Sequence, residues 1–222
     1  QASVLSLYDS NRFKGAKNLV DKESISWEDL DSVIKGKLDG KSNIRLVCNT
    51  ILSPTAKQVI SEFTAVYPNT KVVMYDPISS SAMLEANESD FGDKSIPNYH
   101  FGKAQVIVSF GADFLGTWVS PTEYAADYAT NRKIDLKNPK MSRHIQVESG
   151  MSLTGSNADD RVLIKPSEQG SAIAYLYNAV AAKTGGSQVT APSLNDKAKN
   201  ALAKVAGELL ANQGKSLIVS DS

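Results

Sequence analysis

Short apolar runs of strand length recur along the chain, each closed by turn residues: 44–50 (IRLVCNT), 71–76 (KVVMYD), 105–110 (QVIVSF), 143–148 (RHIQVE), 161–165 (RVLIK) and 216–220 (SLIVS). Several are continuous rather than alternating, as expected of parallel strands buried on both faces. Between them lie segments of helical period. Ser53-Pro54 supplies a cap and an N1 proline ahead of TAKQVISEFTAVY, whose Ala56, Val59, Ile60 and Phe63 share one face. Ser120-Pro121-Thr122-Glu123 has the form of a capping box, and Ser26 with Glu28 and Asp29 opens a short helix running to about Lys35. The segment 168–184 reads as a helix closed by Gly185-Gly186, and 194–212 as another closed by Gly214.

Strand and helix therefore alternate from Ile44 onward, which predicts an α/β fold: a doubly wound, mostly parallel sheet with helices on both faces, a Rossmann-like three-layer sandwich. On this reading 1–43 is an N-terminal extension and 44–222 the Rossmann-like α/β domain. The loosest stretches by composition are 85–98, 135–141 and 185–193.

Composition narrows the functional classes. The 222 residues carry 24 Lys+Arg against 24 Asp+Glu, evenly spread, which argues against a nucleic-acid or anionic-membrane surface. No apolar stretch approaches the ~20 residues that cross a bilayer. A single cysteine, Cys48, removes disulfide frameworks, CxxC chemistry and any cysteine-ligated iron–sulfur cluster held by these residues alone. Cys48 itself reads as a buried small hydrophobe in an apolar strand. The chain opens at Gln1 with neither a charged n-region nor an apolar h-region, so it reads as a processed or excised fragment.

Candidate chemistry is sparse. The first strand-to-helix turn, CNTILSPT, has no glycine, and neither GxGxxG nor GxxxxGK[ST] occurs. Asp76 stands where a ribose-binding acid would stand, but a turn aspartate before Pro77 is the ordinary reading. His144 falls inside a strand, where a packed imidazole is expected, and His100 lies in a loop. Neither has a partner of nucleophile–base or metal-ligand spacing.

Two stretches carry a resemblance. VIVSFGADFLGTWVSPTEYAADYATNRK (106–133) is similar to the strand, Gly-x-Asp turn and helix of the molybdopterin oxidoreductase superfamily. With the opening ASVLSLYDSNR (2–12), SFGADFLGTWVSP resembles more narrowly the B subunits of alternative complex III, quinol-oxidising membrane complexes of bacteria. VESGMSLTGSNADDRVLIKPSEQGSAIAYLYNAV (147–180) resembles the superfamily's second cofactor loop and the turn after it. In molybdenum members these loops hold the guanine nucleotide ends of the cofactor. The resemblance carries that role onto Gly111, Ala112 and Asp113 in the first loop, and onto Glu148, Thr154, Ala158 and Asp159 in the second.

The departures matter. Pro166-Ser167-Glu168-Gln169 replaces the family's Pro-Gly-Thr-Asp, and Glu148-Ser149-Gly150 replaces an Asp-Pro-Arg-like run, which removes a basic group suited to pyrophosphate. The resemblance thus implies vestigial cofactor positions, with molybdopterin guanine dinucleotide lost and no metal or catalytic residue in this segment. The implied parent is an oxidoreductase subunit with iron–sulfur clusters elsewhere, on the periplasmic face of the inner membrane. Its implied partners are its own iron–sulfur domain and other subunits, and the implied role of this segment is that of a scaffold. Two alternatives stand beside it: a fragment of a true molybdopterin-dependent oxidoreductase, and a nucleotide-type-fold binding module without catalysis. A segment cut from partners should expose an apolar patch. Trp118 and the Tyr124–Tyr128 ridge are the candidates for it, with core packing the alternative.

Overall fold

The computed structural model describes residues 2–40, 43–134, 136–137 and 139–221. Of the three loose stretches, 135–141 therefore lies partly outside the described residues. By contacts the chain divides into two compact units, Gln1–Ser79 and Ser80–Ser222. The α/β class expected from the alternation is what forms, with parallel strands in both units.

The first unit opens with a 3-10 segment, Ala2–Tyr8, and continues with α1 (Trp27–Leu38), β1 (Ile44–Cys48), α2 (Pro54–Val66) and β2 (Thr70–Met74). Ser26 and Ser53 cap α1 and α2 as their positions predict, accepting the N–H groups of Asp29 and Ala56. Helix α1 runs one turn beyond Lys35. Strands β1 and β2 pair in parallel, Ile44 opposite Thr70 and Cys48 opposite Met74. Two strands cannot enclose a core, and none of the residues whose burial is described in this unit is buried. Cys48 is accordingly half-buried, which corrects the expectation of a buried hydrophobe.

The second unit holds α3 (Ser81–Phe91), β3 (Val106–Phe110), α4 (Pro121–Thr130), β4 (Arg143–Glu148), the short α5 (Leu153–Ser156), β5 (Asp160–Leu163), α6 (Gln169–Thr184), α7 (Asp196–Ala211) and β6 (Ser216–Ser220). Its sheet is wholly parallel, in the order β5-β4-β3-β6. The chain winds from β3 to β5 in one direction and then returns to place β6 on the other side of β3. That reversal puts the topological switch point between β3 and β6.

Each face of this sheet has its own helical cover. Val106, Val108 and Phe110 of β3, with Ile145 and Val147 of β4, pack beneath Ala172 and Leu176 of α6 and Leu202, Val205 and Leu209 of α7. On the opposite face Ile107 and Val219 pack with Phe101, Phe114, Trp118 and the α4 tyrosines Tyr124 and Tyr128. Phe101 stacks on Phe114 with ring centroids 4.1 Å apart. The Trp118, Tyr124 and Tyr128 side chains are therefore core, at 8%, 2% and 7% exposure, and are not the apolar patch. Helical spacing aims an aromatic stripe at the sheet as readily as at a partner. The large exposed apolar side chains include Leu5, Phe13, Val20, Trp27, Val47 and Met74 of the first unit.

Three local expectations are corrected. Residues 81–91, read as loose from 85 onward, form α3: Ala, Met, Leu and Glu favour helix, and the run ends only at Gly92, in the left-handed conformation at φ 73°. The Ser120 side chain does not accept a backbone N–H of α4, as a capping box requires. Its hydroxyl binds the Glu123 carboxylate, which Asn98 also holds. Helix α7 begins at Asp196, two residues later than the pattern suggests, because the Asn195 side chain accepts the Ala198 N–H as its cap.

Candidate functional site

A cleft of about 330 Å3 opens at the carboxyl ends of β3, β4 and β6, where open parallel sheets place their ligands. The backbone builds its floor. The Gly111 N–H donates to the Val147 carbonyl at 2.9 Å, and the Asp221 N–H to the Phe110 carbonyl at 2.8 Å, extending the ladder one residue past each strand. Gly111 sits at φ 70°, and an added Cβ would meet the Gln169 amide oxygen at 3.1 Å and the Asp221 Cβ at 3.3 Å. Both the conformation and the close approach call for glycine here. Glu148, Ser152, Gln169 and Asp221 line the cleft with the 149–151 loop. None of the described residues lining it is a lysine or arginine.

Asp113, in the turn after β3, is held by its own chain. Its Oδ1 accepts the Thr154 hydroxyl at 2.7 Å and the Thr154 N–H at 3.0 Å, while its Oδ2 accepts the Thr117 hydroxyl at 3.1 Å. Thr154, fully buried, accepts the Leu115 N–H in return at 2.9 Å. A Cβ on Gly116 would collide with the Asp113 carboxylate, so glycine is what lets the turn close over it. Ala112 is fully buried, and its carbonyl accepts the Ser109 hydroxyl at 2.9 Å.

Glu148 is held in the same manner at the end of β4, with its side chain 6% exposed. Arg161 Nε donates to it at 2.5 Å and the Ser152 hydroxyl at 2.7 Å. Ser152 in turn caps α5 by accepting the Gly155 N–H at 2.9 Å. A Cβ at Gly155 would press into the Glu148 carboxylate.

Asp159 is engaged elsewhere. It pairs with both terminal nitrogens of Arg132 at 2.8 Å and accepts the His144 N–H at 2.8 Å, at the amino end of β4. Four residues of strand separate His144 from Glu148, about 13 Å at the usual rise. The Arg132 guanidinium holds the Asp159 carboxyl below the usual carboxylate range. Ala158 contributes a turn, its N–H on the Gly155 carbonyl at 3.3 Å. Of the seven positions that the resemblance singles out, the structure thus joins Asp113 to Thr154 and brings Gly111 and Glu148 to one cleft, with Ala112 buried beside them. Ala158 and Asp159 stand apart.

A polar file on β4 escaped the sequence reading. His144, Gln146 and Glu148 alternate onto the face opposite Ile145 and Val147, and all three are buried. Burial pushes the His144 imidazole down to about 4 and the Tyr128 hydroxyl up to about 12. The signal was present in RHIQVE, whose polar residues recur with the strand period of two. Ser152 and Arg161 carry no comparable signal, because a long-range polar partner leaves no local pattern.

In the first unit Asp76 accepts the Thr50 N–H at 2.9 Å and also the Thr50 hydroxyl, tying the turn after β2 to the turn after β1. Those hydrogen bonds hold its carboxyl below the usual range. His100 sits in its loop, its carbonyl accepting the Lys103 N–H at 3.2 Å. Among the described residues no three His, Cys, Asp or Glu side chains converge as a metal-ligand set, and no helix is long and apolar enough to cross a membrane. No family model matches the chain, and no curated protein matches it.

Proposed function

We propose that the chain is a scaffold domain of a molybdopterin-oxidoreductase-like iron–sulfur subunit, part of a membrane-bound quinol-oxidising electron-transfer complex on the periplasmic face. In this reading the domain catalyses no step. It packs against the cluster-bearing domain and other subunits, so that electrons leave quinol along a fixed path. The supporting observation is the fate of the two carboxylates at the resemblance's cofactor positions. Asp113 and Glu148 are both turned onto donors of their own chain, Thr154 and Thr117 for one, Arg161 and Ser152 for the other. Carboxylates so occupied, with Glu148 in a cleft lined by no lysine or arginine among the described residues, do not fit a guanine edge or a doubly anionic pyrophosphate. The exposed apolar side chains of the first unit, Phe13, Trp27 and Val47 among them, suit a chain that is covered by partners.

One observation favours a second reading, a working nucleotide site: Gly111 and Glu148 do open onto one cleft at the strand ends. A titration of the 15N-labelled chain with guanosine diphosphate separates the two. The scaffold reading predicts no saturable shift of the Gly111, Ser149 or Ser152 amides at millimolar nucleotide. Saturable shifts centred on those amides would overturn it.

A further inference from the structure

We infer that Tyr128, His144, Gln146 and Glu148 form a hydrogen-bond file with two self-consistent polarities, and that the charge on Glu148 selects between them. This inference rests on the file's geometry and holds whether or not the chain is a scaffold. The links are continuous: Tyr128 Oη to His144 Nδ1 at 3.1 Å, His144 Nε2 to Gln146 Oε1 at 3.3 Å, and Gln146 Nε2 to Glu148 Oε2 at 3.4 Å. His144 and Gln146 are fully buried, so each link must pair one donor with one acceptor.

With Glu148 ionised, every direction is determined. A carboxylate only accepts, so Gln146 donates its amide to it and turns its carbonyl to His144. His144 must then carry its proton on Nε2, and its bare Nδ1 accepts the Tyr128 hydroxyl. With Glu148 neutral and donating, the file reverses. Gln146 accepts from Glu148 and donates to His144 Nε2, His144 carries its proton on Nδ1, and Tyr128 Oη accepts it. The Tyr128 hydroxyl then has a second acceptor already in place, the Asn157 carbonyl at 3.4 Å. The reversal takes up one solvent proton, on Glu148, while His144 exchanges one ring proton for another without net change.

The donors around the file favour the first polarity. Arg161 from β5 and Ser152 at the start of α5 donate to Glu148 at 2.5 and 2.7 Å, whereas Asp221 at the end of β6, a like charge lining the same cleft, works against it. Around His144 stand the Phe114 ring, 5.3 Å away between centroids, and the Arg132–Asp159 pair beyond Tyr128. At neutral pH burial holds the imidazole neutral, so the device there has two states and not three. A group that neutralises Glu148 from the cleft is therefore registered at Tyr128 on α4.

Two-bond 1H–15N spectra of the histidine-labelled chain test this, with His100→Gln assigning the signals. At neutral pH His144 is expected as the single Nε2–H tautomer. In Glu148→Gln the new carbonyl takes the Oε1 position facing Arg161, so the amide takes the Oε2 position, donates to Gln146 with the Ser152 hydroxyl turned to accept, and the tautomer switches to Nδ1–H. In Gln146→Leu, a second variant should the first not fold, Nε2–H loses its acceptor and the same switch is expected. An Nδ1–H tautomer or an imidazolium in the unaltered chain, or Nε2–H retained in either folded variant, would overturn the inference.

Discussion

The Thr154 hydroxyl donates to the Asp113 carboxylate at 2.7 Å across 41 residues of sequence, clasping the turn after β3 to the start of α5. The same oxygen accepts the Leu115 N–H, so one buried hydroxyl satisfies two loops. Thr154→Val keeps the shape and removes both bonds. It is expected to cost about 1–3 kcal/mol, the penalty for stranding buried polar groups. Urea unfolding followed by the buried Trp118 measures it, and an unchanged midpoint would remove the clasp from the account.

Glu148 and Arg161 should behave as a coupled pair. Arg161→Met leaves a carboxylate at 6% exposure without its cation, and a loss of about 3 kcal/mol is expected. Glu148→Gln in the same chain should restore part of that loss. A double-mutant cycle giving purely additive effects would contradict the pairing.

Gly155 and Gly150 make a matched comparison within one loop region. A Cβ at Gly155 presses into the Glu148 carboxylate, whereas one at Gly150 meets nothing within 4 Å. Gly155→Ala should cost about 1–3 kcal/mol through overpacking. Gly150→Ala should be neutral or slightly stabilising, and equal effects in the two melting curves would count against the described packing.

Acid should weaken the fold through His144. Its imidazole titrates at about 4 in the folded chain, against about 6.5 for an unperturbed histidine. Between those values the unfolded chain binds the additional proton, so the contribution is full above pH 6.5 and is lost as pH falls to 4, about 3 kcal/mol in all. Asp159, held below the usual carboxylate range by Arg132, adds a loss of the same sign at lower pH. Urea stabilities between pH 7 and 5 should fall in the unaltered chain and stay nearly level in His144→Gln.

Local pattern made the strands and most helices legible. The 143–148 and 216–220 strands were readable to the residue, because alternation in RHIQVE and a continuous apolar run in SLIVS, each between turn residues, leave little choice of bounds. Helix α3 was obscured by its polar surface and weak amphipathicity, and the burial of Trp118 by the fact that periodicity does not say what a face meets. The site divided along the same line. Gly111, Asp113, Glu148 and Thr154 were singled out through motif resemblance, but the Glu148 partners Ser152 and Arg161 are set by tertiary structure alone. Asp159 lies near Thr154 in sequence yet joins the opposite end of β4, since the short α5 carries the chain back to the strand's start.

Under the proposed function, this fold serves electron transfer as part of a longer subunit, without a molybdenum cofactor of its own. The direct measurement is the metal and pterin content of the full-length subunit purified from its native membrane: molybdenum, tungsten and iron by mass spectrometry, and pterin by fluorescence after oxidative release. Iron present, with molybdenum, tungsten and pterin at background, is the predicted result. Near-stoichiometric molybdenum or tungsten together with pterin would contradict it, and would make the Gly111–Glu148 cleft a working cofactor site.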